Sequence, residues 1–321
     1  MEHDAYTLAV DLGGTKVDAA LVSRGSIVAG SRHRQPTGSQ ATREELAASV
    51  SSALQQSIAS LPPHTSIDRV GIATAGPIDT GEGTTTPVNL PAWKEYPLRD
   101  LVASAVLPLF PDAHIAFGLD GTAIALAEHH YGSGRGVTNF MSMVVSTGIG
   151  GGVITDGSLL RGASGNAGHI GQTYVSGFSQ ALTSTPEPRG PRAGFIGDSL
   201  TVEEVASGPA SIAWARSYGW NGNDGHDLAR DYSAGNEIAI AAVERSAAAT
   251  GQAIAGASAL LNLELVAIGG GFSRVTHDYA RLVQKAVTQH PLAYARKTRV
   301  VASELGDDGP LLGAALLAKQ G

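Results

Sequence analysis

The sequence predicts an α/β protein of two domains around a central cleft, and three observations carry that prediction. The chain has 321 residues, more than one hydrophobic core usually organises. Short β-like apolar runs alternate with segments of helical spacing, the pattern of sheets covered by helices. Two β-glycine-β units recur, one over residues 8–22 around Gly13-Gly14 and one over residues 139–154 around Gly148. That repetition fits a duplicated architecture with a nucleotide in the cleft between its halves.

Composition narrows the class. Hydrophobic residues make up 43% of the chain and charged residues 16%, which suits a compact soluble protein rather than a disordered one. The formal net charge is −7, no stretch is basic, and no recognition-helix pattern precedes the first strand at Tyr6, so nucleic acid is not an expected partner. Cysteine is absent, which excludes disulfides, thiolate metal sites and cysteine nucleophiles. The opening MEHDAYTLAVDLGG has neither the basic region nor the apolar core of a signal peptide. No apolar run reaches membrane-spanning length. A cytoplasmic protein with no membrane partner is expected.

The first element is a hairpin whose turn is Gly13-Gly14-Thr15-Lys16. Without a Cβ in the way, its backbone N–H groups can approach a bound anion. Asp11 ends the first strand and faces the same space, as it would if a Mg²⁺ lay between it and a phosphate, usually through water. An ordinary hairpin with a solvated aspartate fits the same residues. A third strand is expected over residues 26–30 and a polar loop over 31–40. Residues 41–60 show helical spacing (Leu46, Val50, Leu54, Ile58) behind Thr42 and Glu45, a capping box, and Pro62-Pro63 ends the helix. A strand over residues 68–74 runs into the loop Ala75-Gly76-Pro77-Ile78-Asp79, a place where α/β sheets hold ligands. The proline-rich stretch PVNLPAWKEYPL over 87–98 is neither helix nor good strand and suits a rigid pocket wall. There Asn89 offers the donor and acceptor that a sugar hydroxyl pair requires, or caps a turn, with Trp93 filling a hinge.

A strand over 113–117 precedes Asp120, and a helix is expected from Ala123 to about His130. Asp120 is then either a helix N-cap, worth about 1 kcal/mol, or a catalytic base beside the helix dipole. His129 and His130 read as solvated residues at the helix end. The second glycine turn, Ser146-Thr147-Gly148, follows a strand over 139–145 and precedes another. Neither turn fits the GxGxxG or GxxxxGK[ST] frames, because no βαβ unit follows directly. Residues 155–171 are loop-rich, and 173–200 is the best stretch for a mobile surface segment. Thr201 and Glu204 form a second capping box. Helices broken near Ser233-Ala234-Gly235 fill residues 227–261. A buried strand over 264–268 ends in Gly269-Gly270-Gly271, where a nucleoside could lie against bare backbone. A helix near 276–290, a strand over 299–303 and a helix over 309–319 complete the chain.

Together these pieces resemble the ROK family of sugar kinases and related repressors, within the actin-like (ribonuclease H-like), hexokinase-like ATPase fold. The resemblance rests on VDLGGTK, TAGPID, PVNLPAW, LDGTAIALAE, STGIGGGV, GNAGHIG, VEEVASGPA and AIGGGFS, in order over nearly the whole chain. It implies a boundary near residue 118, with domains of 1–118 and 119–307 and a C-terminal helix in 308–321 that packs back on the first. It implies ATP and Mg²⁺, with phosphate contacts from Gly13, Gly14, Thr15, Thr147 and Gly148 and with Asp11 near the metal. Gly270 and Gly271 would border the adenosine. Lys16 would add charge there or pair with a nearby carboxylate. Asp120 falls on the family's catalytic base, which would take the proton of the acceptor hydroxyl. Gly76, Asn89, His169 and Glu203 join Asp120 as expected substrate-binding residues. A homodimer is expected only because members of the family often are dimers.

The departures matter as much. Leu119 replaces the family's asparagine before the catalytic aspartate, and Gly121-Thr122 replace Ala-Asn. His169 replaces a sugar-binding glutamate, or is a surface loop histidine. Gln172 stands in place of a zinc-binding histidine, and the cysteine cluster is missing. No zinc is therefore expected. A buried hydroxyl that loses its partner costs about 1–3 kcal/mol, so the sugar is expected to differ from that of a typical glucose pocket. The expected activity is phosphorylation of a hexose or N-acyl amino-sugar. The alternatives are a weak or inactive sugar-binding sensor and an actin-like ATPase with another substrate.

Overall fold

A computed structural model of the chain describes residues 5–178 and 200–320. The first sheet begins with the antiparallel hairpin β1 (Ala5–Leu12) and β2 (Lys16–Ser23). β3 (Ser26–Ile27) and β4 (His33–Pro36) pair with β2. After helix α1 (Arg43–Ala59), β5 (Ser66–Thr74) joins β1 in parallel. The small hairpin β6 (Ile78–Asp79) and β7 (Thr84–Thr85) and helix α2 (Leu98–Val106) lead to β8 (His114–Leu119), parallel to β5. The strand order is β3-β2-β1-β5-β8.

Helix α3 (Asp120–Tyr131) leads into the second sheet. There β9 (Phe140–Val145), β10 (Ile149–Thr155) and β11 (Ser158–Leu159) form an antiparallel meander. β12 (Tyr174–Val175) pairs with β13 (Leu200–Thr201) beside it. Helices α4 (Val202–Ala206), α5 (Gly208–Ser217), α6 (Gly225–Ser233) and α7 (Glu237–Leu261) follow. Then come β14 (Leu265–Gly269), α8 (Tyr279–Val287), β15 (Arg299–Ala302) and α9 (Gly309–Leu317). The order is β11-β10-β9-β14-β15. In both sheets a hairpin is extended by two parallel strands, so the duplication expected from the two glycine turns is present.

Each sheet has its own core. Leu8, Val10, Leu46, Leu54, Ile72 and Trp93 pack around the first, while Met143, Val205, Val243, Ile254 and Val283 pack around the second. A third cluster lies between the sheets, where Ala9 and Ala73 of the first face Phe140 and Ala267 of the second across α3 and α9. Here α3, which leaves the first sheet, packs on β9 and β10, while α9, which leaves the second, packs on β1 and β5. Close backbone approach makes this exchange of helices tight. A Cβ on Gly313 of α9 would strike the Ala123 carbonyl of α3, and one on Gly71 of β5 would strike the carbonyl of Ala314.

Several elements differ from expectation. Residues 31–40 are not all loop, because β4 pairs with β2 through Arg34 opposite Asp18. The third strand is confined to Ser26–Ile27. Helix α2 was not expected. It begins one residue after Pro97, and Leu98, Val102 and Val106 form its buried stripe. Helix α3 starts at Asp120 rather than Ala123, with Leu119 as its N-cap, so Asp120 occupies the first helical position and is not the cap. Trp93 fills no hinge; it is fully buried in the first core, stacked on Tyr96 with 4.0 Å between ring centroids. His129 is half-buried, its Nε2 2.7 Å from the Val137 carbonyl, while His130 is exposed. The expected surface segment over 173–200 lies mostly outside the described residues.

Candidate active site

The first turn is set by strand pairing. Register between β1 and β2 runs to Leu12 opposite Val17. Gly13 N–H then donates to the Lys16 carbonyl at 2.9 Å, and Thr37 Oγ1 donates to the Gly13 carbonyl at 2.9 Å. Thr15 is left exposed at the tip. The second turn forms in the same way: Ser146 N–H donates to the Gly148 carbonyl at 3.0 Å between β9 and β10, and Thr147 is exposed. The third turn closes on the second. Gly270 has φ +98°, and a Cβ there would sit 2.5 Å from the Val145 carbonyl oxygen. Gly271 faces Ser146 Oγ. A cavity of about 360 Å³ opens beside this turn, lined by Gly270, Ser273, Arg274, His277 and Ser303 among others. Gly271 does not line it.

Two carboxylates converge on the cleft. Asp11 is only 8% exposed, which rules out the solvated-aspartate alternative. Burial pushes its pKa up to about 7, with the negative charge of Asp120 and then of Asp18 adding to the shift against Lys16 and Arg32. Asp120 is raised to about 6 by burial, although its carboxylate accepts a 2.6 Å hydrogen bond from Gly121 N–H. Beneath Asp11 lies a cluster that sequence reasoning did not single out. Arg34 grips Asp18 with two bonds, Nε to Oδ1 at 2.7 Å and Nη2 to Oδ2 at 2.8 Å, and Arg32 adds a third at 3.1 Å. These charge-assisted bonds hold the Asp18 carboxyl below its usual range despite its burial. The signal was a single acidic residue inside the apolar run of β2. Lys16 Nζ lies 3.6 Å from Asp18 Oδ2, which is the pairing with a nearby carboxylate.

The residues expected to bind substrate come together from both halves. Asn89 lies against both turns: a Cβ on Gly14 would meet its Cβ at 3.0 Å, and one on Gly148 would lie 3.8 Å from its amide nitrogen. Asn89 is exposed, and its amide makes no hydrogen bond among the described residues; it caps no turn. Glu203, on α4 behind the Thr201–Glu204 capping box, accepts from Ile149 N–H at 2.8 Å and from Gln172 Nε2 at 3.3 Å. His169 is not a surface loop residue. It is half-buried, its Nε2 has no hydrogen-bond partner, and it lies 3.3 Å from the place a Cβ on Gly76 would take. Burial holds the imidazole below its ordinary pKa, and Glu203 pulls the other way. Leu119, buried beside it, touches Gly76 as well. Asp11, Asn89, Asp120, His169 and Glu203 thus surround one space between two anion-accepting turns, with a nucleoside-sized cavity at the third.

Comparison with known proteins agrees. The ROK family matches residues 7–321. The N-acetylmannosamine kinase of Citrobacter koseri is 33% identical over 98% of both chains, and that of Escherichia fergusonii is 34% identical over the same shares. The ROK hexokinase from Thermus thermophilus superposes with a TM-score of 0.77 at 27% identity, covering 98% of each chain. A ROK family glucokinase from Streptomyces griseus, solved with glucose and AMPPNP, has the same fold at TM-score 0.77 and 24% identity, over 99% of this chain and all of its own. The chain belongs to the ROK family.

Proposed function

We propose that this ATP-dependent sugar kinase transfers the γ-phosphate to a hydroxyl of an N-acyl amino-sugar or a hexose, with Asp120 as general base. The observation that carries the reading is the pair of desolvated carboxylates, Asp11 and Asp120, between the two glycine turns. A pKa near 6 leaves Asp120 ionised at neutral pH yet basic enough to accept a proton as the hydroxyl attacks. A sensor that only binds sugar would have no need of such a base. N-acetylmannosamine is the first substrate to test, because it names the relatives at 33–34% identity. Leu119 and His169 in place of the family's amide and carboxylate support a sugar other than glucose.

In this reading Asn89, His169, Glu203 and the backbone at Gly76 orient the sugar. Gly13, Gly14, Thr15, Thr147 and Gly148 hold the phosphates, Lys16 adds charge, and Gly270 and Gly271 border the adenosine. The donor set fits Mg²⁺: two like charges raise Asp11, which a divalent cation would relieve, and Mg²⁺ needs few carboxylates where phosphates and water fill the remaining positions. Mg²⁺ held beside Asp11, probably the wrong word for a bond that is best made through water, would neutralise the phosphate charge. No zinc is proposed, since the chain has no cysteine and the Gln172 amide is engaged by Glu203. The proposed units are 1–118 with 308–321, and 119–307. A cytoplasmic homodimer with no nucleic-acid or membrane partner rests on the resemblance and composition alone.

The test is phosphoryl transfer from ATP-Mg²⁺ across hexoses and N-acyl hexosamines, beside Asp120→Asn. Turnover on one sugar, reduced about 10²–10⁴-fold in the variant while sugar binding persists, is the expected result. Calorimetric sugar binding without turnover on any sugar would overturn the kinase reading.

A further inference from the structure

The loop that carries His169 is tied across the cleft by one side chain. Asn166 Oδ1 accepts a 2.9 Å hydrogen bond from Ile78 N–H, and Asn166 Nδ2 donates a 2.7 Å bond to the Ile78 carbonyl. The amide therefore satisfies both backbone groups of a β6 residue, as a neighbouring strand would. The same Nδ2 reaches the Ser164 carbonyl at 3.2 Å and Ser164 Oγ at 3.1 Å, which closes the loop on itself. Gly165 packs against Thr80 and Ile78. Residues 160–169 contribute no helix or strand of their own, so regular structure does not hold the imidazole in place.

Both ends of this circuit reach the sugar pocket. Ile78 follows Gly76-Pro77, His169 follows Asn166-Ala167-Gly168, and His169 Nε2 returns to lie beside Gly76. That nitrogen is buried and without a partner, a costly placement that a loop free to move would relax. We propose that Asn166 is a positioning residue of the sugar pocket, which pairs with both polar groups of Ile78 across the cleft and so holds His169 against Gly76. The proposal rests on the reading of this cleft as a sugar site. Asn166 itself touches no reacting atom.

The test uses Asn166→Ala and Asn166→Asp in the full chain. The aspartate keeps the shape and the acceptor for Ile78 N–H but turns a carboxylate oxygen toward the Ile78 carbonyl. Both variants are expected to weaken N-acetylmannosamine binding about tenfold by calorimetry, the size of one lost hydrogen bond, while the KM for ATP-Mg²⁺ moves less than about twofold. Hydrogen exchange is expected to show faster exchange at the Ile78 amide and at residues 169–172 than in the unaltered protein. An Ile78 amide as protected in both variants as in the parent, sugar affinity unchanged with that amide freed, or an equal shift for ATP would each overturn the proposal. If the parent protein binds no sugar, the kinase reading falls, and the exchange at Ile78 and 169–172 still decides whether Asn166 holds the loop.

Discussion

Asp11 and Asp120 are held in a condition that folding opposes and phosphoryl transfer uses. Both pKa values are raised in the folded chain, to about 7 and about 6 from 3.8. Between pH 4 and those values the folded state binds more protons than the unfolded one, so stability falls as pH rises through that window. Asp11→Asn is therefore expected to raise the melting temperature by at least about 2 °C at neutral pH while it lowers activity; calorimetric scans of both proteins check this, and a lower melting temperature would refute the account. For Asp120 the consequence is kinetic. The kcat/KM for sugar should fall as pH drops through about 6, when the base becomes protonated. Little of this was legible in the sequence. Asp120 had two readings there, and only burial and the start of α3 at that residue distinguish them.

Helix starts with reciprocal caps were readable, because a capping box is local chemistry. Thr42 with Glu45 and Thr201 with Glu204 make both bonds of the motif. Helix α2 has no such signal: its N-cap is Pro97 and no side chain caps it. Strand β4, His-Arg-Gln-Pro, has no apolar alternation and is held by register with β2 and by the Arg34–Asp18 pair. Helix interiors show how context reverses one substitution. Gly313→Ala in α9 places a methyl against the Ala123 carbonyl and is expected to cost about 3 kcal/mol or more, since backbone must move. Gly256→Ala in α7, exposed and with nothing within 4 Å among the described residues, is expected to add about 0.5–1 kcal/mol. Urea unfolding of the two variants, with midpoints moving in opposite directions, checks both.

The two sheets are joined by crossed helices, and a buried carboxylate fastens the crossing. Glu128 of α3, fully buried, accepts from Ser133 N–H at 3.0 Å, Ser133 Oγ at 2.9 Å and Leu305 N–H at 2.9 Å, and from Ser303 Oγ. It thereby holds the segment that leads into α9. These bonds keep its pKa below the usual value against the pull of burial. Its contribution, like that of Asp18, is present above the unfolded pKa and is lost as pH falls through the folded value. Asp11 and Asp120 act with the opposite sign at higher pH. The ligand-free protein is accordingly expected to be most stable near about pH 5, on the acid side of its activity optimum; unfolding measured from pH 3 to 8 checks this, and a maximum at or above pH 7 would contradict it. Closure of the two halves over sugar and ATP would expel water and restrain hydrolysis.

What the sequence by itself determined was the architecture and the kind of chemistry. Both rest on signals between near neighbours: strand-glycine-strand units, capping boxes, and an aspartate between a strand end and a helix. Such patterns specify backbone shape locally, and in order along the chain they were enough to name the family. The tertiary structure decided what depends on residues far apart in the chain. It made Asp11 buried rather than solvated, joined Lys16 and two arginines to Asp18, left His169 Nε2 without a partner beside Gly76, and set Asn166 against Ile78. Desolvation and charge pairing are sums over everything nearby in space, and no spacing along a single chain reports them.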